Sequence, residues 1–122
     1  MTKTVLVVDD SESLRQLAGI VLKGAGYESI EACDGDDALA KLDGRKVHLI
    51  ISDVNMPNMD GLAFVKRVKN LRDHKFTPII MLSASFLDAS RREAREAGVK
   101  AWMVKPFGRN ELLDMVSRFV RP

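Results

Sequence analysis

Five short runs rich in Val and Ile, at about residues 4–8, 27–32, 47–52, 77–82 and 99–104, alternate with five segments whose apolar residues recur every three or four positions. This alternation predicts consecutive βα units, and so an α/β fold with a doubly wound, five-stranded parallel sheet and five helices, because right-handed crossovers pack the helices on both faces of the sheet. Three of the runs stop at charged residues: Val5-Leu6-Val7-Val8 at Asp9-Asp10, Leu49-Ile50-Ile51-Ser52 at Asp53, and Ala101-Trp102-Met103-Val104 at Lys105-Pro106. In an open parallel sheet the carboxyl ends of the strands share one edge, where ligands bind. Distant parts of the chain therefore bring three carboxylates and one ammonium to a single site.

The helical segments differ in how much they can bury. Leu14, Leu17, Ala18, Val21, Leu22 and Ala25 form one face of the first, which Gly24 and Gly26 end. Segment 35–43 offers Ala38, Leu39 and Leu42; segment 62–71 offers Phe64, Val65, Val68 and Leu71; segment 109–120 offers Leu112, Leu113, Val116, Phe119 and Val120. Segment 87–97 has only Leu87, Ser90, Ala94 and Ala97 on its inner face, with Arg91, Arg92 and Arg95 beside them. That pattern predicts a thinly buried helix, which is easier to move.

Composition narrows the function classes. A chain of 122 residues, 46% apolar and 30% charged, is expected to form one domain over 1–122 with a continuous core. A net charge of +2, with basic and acidic residues interspersed, argues against a nucleic-acid partner. No stretch approaches the roughly 20 apolar residues of a membrane span, and the amino terminus lacks signal-peptide features. No linker marks an appended module. A cytoplasmic, stand-alone protein is expected. The single Cys33 rules out an internal disulfide and a cysteine-rich metal site.

Asp9-Asp10 taken alone could simply cap a helix. Beside Asp53, however, three carboxylates at one edge repel one another and oppose folding unless a cation joins them. Such oxygen ligands suit Mg²⁺, which takes one or two protein carboxylates plus substrate phosphate. A carboxylate can attack phosphorus to give an acyl phosphate when the charge on the entering group is neutralised, and Lys105 and the metal could do that for Asp53. Ser83, closing Ile79-Ile80-Met81-Leu82, could donate its hydroxyl to a phosphoryl oxygen or cap a helix.

Asp9-Asp10, Asp53 within Ser-Asp-Val-Asn-Met-Pro-Asn-Met-Asp-Gly, Ser83-Ala84 and Lys105-Pro106-Phe107 together resemble the receiver domain of bacterial two-component response regulators, over essentially the whole chain. The likeness to stand-alone, CheY-like chemotaxis regulators is strongest in Asn-Met-Pro-Asn-Met-Asp-Gly-Leu. It implies the sheet order 2-1-3-4-5, phosphoryl transfer to Asp53 from a histidine kinase, and a phosphatase as a further partner. It also implies Mg²⁺ held by Asp10, Asp53 and the backbone carbonyl of Asn55, with Asp9 acting through water. Ser83 and Lys105 would hold the phosphoryl oxygens, and the Lys105-Pro106 bond would be cis.

In this family the output surface is the fourth helix, fifth strand and fifth helix, which implies roles here for Phe86, Arg91, Arg95, Trp102 and Met115 toward a downstream target such as a flagellar motor switch. Trp102 stands where the family usually has a Tyr or Phe that moves inward on activation. As an indole, it needs a partner for its N–H when buried. Asn55 and Ser85, both small and polar, occupy the positions that gate the attacking water, so modest self-dephosphorylation is expected. The chain is expected to be a phosphoacceptor switch rather than an enzyme acting on other substrates.

Three other functions share parts of this pattern. A magnesium-dependent aspartyl phosphohydrolase normally has Asp-x-Asp after its first strand and a substrate cap, whereas this chain has Asp53-x-Asn55 after the third run and no room for a cap. A flavin binder needs a hydroxyl-rich phosphate loop where Asp9-Asp10 would repel phosphate. A phosphate-sink receiver with no downstream target has the same sequence features as a switch.

Overall fold

A computed structural model of the chain describes residues 2–85 and 88–122. Ten elements alternate along it: β1 (Thr4–Val8), α1 (Glu12–Gly24), β2 (Glu28–Ala32), α2 (Gly35–Leu42), β3 (Leu49–Asp53), α3 (Gly61–Lys69), β4 (Ile79–Ser83), α4 (Arg91–Glu96), β5 (Ala101–Val104) and α5 (Arg109–Ser117). The strands form one parallel sheet in the order β2-β1-β3-β4-β5. Winding reverses between β1 and β3, which places the switch point beside their carboxyl ends.

Alternating side chains along each strand divide the core in two. Leu6, Val8, Ile50, Ile79, Met81 and Trp102 pack with Ala38, Leu42, Phe64, Val65, Val68 and Ala94 of α2, α3 and α4. Val5, Val7, Leu49, Ile51, Ile80, Leu82 and Met103 pack on the other face with Ala18, Leu22, Leu112 and Val116 of α1 and α5. Burial on both faces is why these strands read as unbroken apolar runs.

Local chemistry starts the helices where the site needs them. Ser11 Oγ accepts Leu14 N–H at 3.3 Å to open α1, and Asp34 and Asp60 accept Asp37 N–H and Ala63 N–H, each at 2.8 Å, to open α2 and α3. No helix among the described residues is long and apolar enough to cross a membrane.

The structure corrects several expected boundaries and one expected face. β3 and β4 begin at Leu49 and Ile79 rather than 47 and 77, and just before β4 Pro78 has no N–H to give a ladder. α5 ends at Ser117 rather than 120, and Phe119 and Val120 continue as a turn that still packs on the α1 side. Leu17, expected on the buried face of α1, is 58% exposed because it lies at the margin of the apolar stripe. α4 is six residues, shorter than the expected 87–97; Ala94 is its one buried residue, and Asp88 to Ser90 form a turn ahead of it. Phe86 and Leu87 lie outside the described residues.

Candidate functional site

Register builds the site. Val8 is level with Ser52, Asp53 with Leu82, and Ser83 with Val104. Asp9, Asp53, Ser83 and Lys105 therefore sit at, or one residue beyond, the ends of four adjacent strands. Carboxylate oxygens of Asp9, Asp10 and Asp53 all lie within 4.8 Å of one another. Asp9 is fully buried, Asp53 is 6% exposed, and Asp10 faces solvent.

Lys105 Nζ lies 2.8 Å from Asp9 Oδ2 and 3.3 Å from Asp53 Oδ2. The remaining carboxylate oxygens take backbone donors: Ser11 N–H reaches Asp9 Oδ1 at 2.9 Å, and Asn55 N–H reaches Asp53 Oδ1 at 3.3 Å. Asp9 Oδ2 is buried, and the Lys105 ammonium is the charge that faces it. Three carboxylates facing one ammonium leave this strand edge with net negative charge, and an all-oxygen donor set of that kind fits a hard divalent cation such as Mg²⁺.

Burial raises the Asp53 carboxyl above its ordinary value, and the Asp9 charge adds to this; Lys105 and the Asn55 N–H pull it back only in part. Burial, the largest influence on Lys105, opposes its charge, yet Asp9 and Asp53 together hold the ammonium above its usual value. For an acid raised in the folded state, the stability its protonated form contributes is full below the unfolded value and is lost as pH rises through the folded one. Ionised Asp53 thus destabilises the metal-free protein at neutral pH. Asp53→Asn is expected to raise the melting temperature by a few degrees in EDTA at pH 7, with the gain shrinking toward pH 4 in thermal scans.

Three residues that support the site carried no signal strong enough to be singled out from sequence. Arg15, one turn into α1, donates from Nη1 to the Asp9 carbonyl at 2.7 Å and from Nε to Glu31 Oε1 at 3.1 Å. A Cβ on Gly61 would collide with the Asp53 carbonyl oxygen and come within 2.8 Å of Val54 Cα, so only glycine lets α3 approach the end of β3. Asp88 accepts the Ser83 hydroxyl at 3.1 Å. In sequence each looks ordinary: a helix-surface arginine, a turn glycine and an acid near a helix start.

The Lys105-Pro106 bond is cis. Trp102 is buried, 8% exposed, and its indole N–H donates to the Ser85 carbonyl at 3.3 Å. It separates two clefts: Arg91 and Arg95 line a cavity of about 100 Å³ on one side, and Met115 lines one of about 420 Å³ on the other. The structure brings those four expected output residues to one face.

Residues 5–117 match the model of the response regulator receiver domain. The chain belongs to that family. This receiver is 37% identical over 116 residues to protein PilG of Pseudomonas aeruginosa, covering 95% of this chain and 86% of PilG. Its structure resembles that of the chemotaxis response regulator CheY4 of Vibrio cholerae, with a TM-score of 0.93, 43% identity, and coverage of 98% and 100% of the two chains. The receiver domain of the sensor histidine kinase PA1611 of P. aeruginosa, 25% identical with a TM-score of 0.88 and 98% coverage of both chains, has a magnesium ion coordinated in its active site cleft. Other relatives are longer: the receiver is 38% identical to the transcriptional regulatory protein PhoP of Bacillus subtilis across 99% of itself but spans 50% of that protein.

Proposed function

We propose that this receiver is a phosphorylation-controlled switch that takes a phosphoryl group on Asp53 from a histidine kinase. The observation that carries this reading is the placement of the Asp53 carboxylate 3.3 Å from the Lys105 ammonium and within the cluster formed with Asp9 and Asp10. An Asp53 oxygen attacks phosphorus, the bond from phosphorus to the kinase imidazole nitrogen breaks, and its electron pair leaves with the imidazole. Lys105 meets charge on the phosphoryl oxygens, and Ser83 gives its hydroxyl to another of them. Asp10, Asp53 and the Asn55 carbonyl would hold Mg²⁺, with Asp9 acting through water. Bound there, Mg²⁺ neutralises the phosphoryl charge and so lowers repulsion against the entering carboxylate.

A phosphoryl group brings about −1.5 to −2 charges to this edge and biases a conformational equilibrium already present in the protein. The face formed by α4, β5 and α5, with Arg91, Arg95, Trp102 and Met115, reads that bias out to a partner protein, and the resemblance to CheY4 favours chemotaxis signalling. The chain's own catalysis is limited to acquiring and slowly losing its phosphoryl group. Radiolabelled acetyl phosphate with Mg²⁺ is expected to leave an acid-stable, hydroxylamine-labile label on the wild type; steady turnover of phosphate esters without a label would instead favour a phosphohydrolase. Trp102 is the chain's one tryptophan, so beryllium fluoride with Mg²⁺ is expected to change intrinsic fluorescence in the wild type but not in Asp53→Ala. An unchanged spectrum would remove Trp102 from the switch.

A further inference from the structure

A serine hydroxyl has one proton to give, and Ser83 gives it to Asp88. Ser83 Oγ donates to Asp88 Oδ2 at 3.1 Å while accepting Ser85 N–H at 3.2 Å. The other carboxylate oxygen of Asp88 accepts Ser90 N–H at 2.9 Å and the Ser90 hydroxyl at 2.6 Å, which fixes the turn leading into α4. Asp88 therefore ties the end of β4 to the start of α4. The same loop meets the output face where the Ser85 carbonyl accepts the Trp102 indole N–H. The Ser90 hydroxyl, the Ser90 N–H and the Ser83 hydroxyl together hold the Asp88 carboxyl below its usual range, so it is a charged acceptor at neutral pH.

We infer that Asp88 is a positioning residue that holds the Ser83 hydroxyl at rest, so that a phosphoryl oxygen on Asp53 must compete with a carboxylate for that single proton. The inference rests on the phosphoacceptor reading of Asp53. Both acceptors are ionised, and hydrogen bonds to ionised acceptors are roughly twice as strong as neutral ones. The exchange is therefore between two strong bonds rather than a strong and a weak one. When Ser83 turns to the phosphoryl group, the tie between β4 and α4 is released. α4 is thinly buried, with Ala94 alone in the core, so little packing resists its movement.

Asp88→Asn isolates this role. The amide oxygen can keep both Ser90 bonds, while the amide nitrogen in place of Oδ2 cannot accept from Ser83. In calorimetric titrations with beryllium trifluoride and excess Mg²⁺, D88N is expected to bind about 5- to 20-fold more tightly than the wild type. In a Ser83→Ala background the same substitution is expected to change nothing. Equal affinity of D88N and the wild type overturns the proposal, and so does equal tightening in both backgrounds, which would mean that only the lost negative charge matters. Asp88→Ala is expected to show the same dependence on Ser83 and serves if D88N folds poorly. A wild type that binds no beryllium trifluoride overturns the phosphoacceptor reading and this inference with it; wild-type binding without a D88N effect overturns the role of Asp88 alone.

Discussion

Lys105→Ala is expected to lower the rate of phosphoryl acceptance from acetyl phosphate by about 10²- to 10³-fold, the usual cost of removing one preorganised group that meets transition-state charge. The same change strikes stability. Asp9 is fully buried and its Oδ2 has the Lys105 ammonium at 2.8 Å, so removing the cation leaves a buried charge uncompensated beside Asp53. Breaking a buried ion pair costs about 3–5 kcal/mol; with the Lys105 side chain 25% exposed, solvent screening reduces this to about 2–3 kcal/mol. Mg²⁺ is expected to restore more of the melting temperature in Lys105→Ala than it adds to the wild type, because it becomes the sole cation facing the cluster. Equal Mg²⁺ stabilisation of the two proteins would mean that Lys105 does not compensate these carboxylates.

Gly61→Ala is expected to cost about 3 kcal/mol or more, at the upper end of what an overpacked core methyl does. The methyl would meet the backbone of Asp53 and Val54, and only Met81 Cε, at 2.6 Å, belongs to a side chain that could swing away. The strain falls on the carbonyl of the residue that carries the site carboxylate. Urea unfolding is expected to show the loss, and Mg²⁺ affinity is expected to fall with it. A variant as stable as the wild type would show that α3 can retreat from β3 freely.

Much of the architecture was legible because burial and chemistry write in different alphabets. Doubly covered strands must be apolar on both faces, so β1, β3, β4 and β5 stand out as unbroken runs, and a charged residue can appear only where each strand leaves the core. Asp9, Asp53 and Lys105 were visible for that reason. Ser83 was visible by position alone, being the last residue of β4. Helix ends were less legible. α4 buries only Ala94, so periodicity could not separate its helical turns from the Asp88–Ser90 turn ahead of it. The supporting residues were illegible because their meaning lies in long-range contacts: Arg15 pairs with Glu31 sixteen residues away, and Gly61 is dictated by a backbone carbonyl of another element. A buried indole needs an acceptor for its N–H, and the Ser85 carbonyl supplies one to Trp102.

Borohydride trapping shows which residue carries the phosphoryl group, and Asp53 is the expected one. After incubation with acetyl phosphate and Mg²⁺, reduction of an aspartyl phosphate yields homoserine, which peptide mass spectrometry locates along the chain. Homoserine at position 53 in the wild type, absent when EDTA is added, is the expected result. Homoserine at Asp9 or Asp10 instead, or none at all from the folded, Mg²⁺-loaded protein, would contradict it.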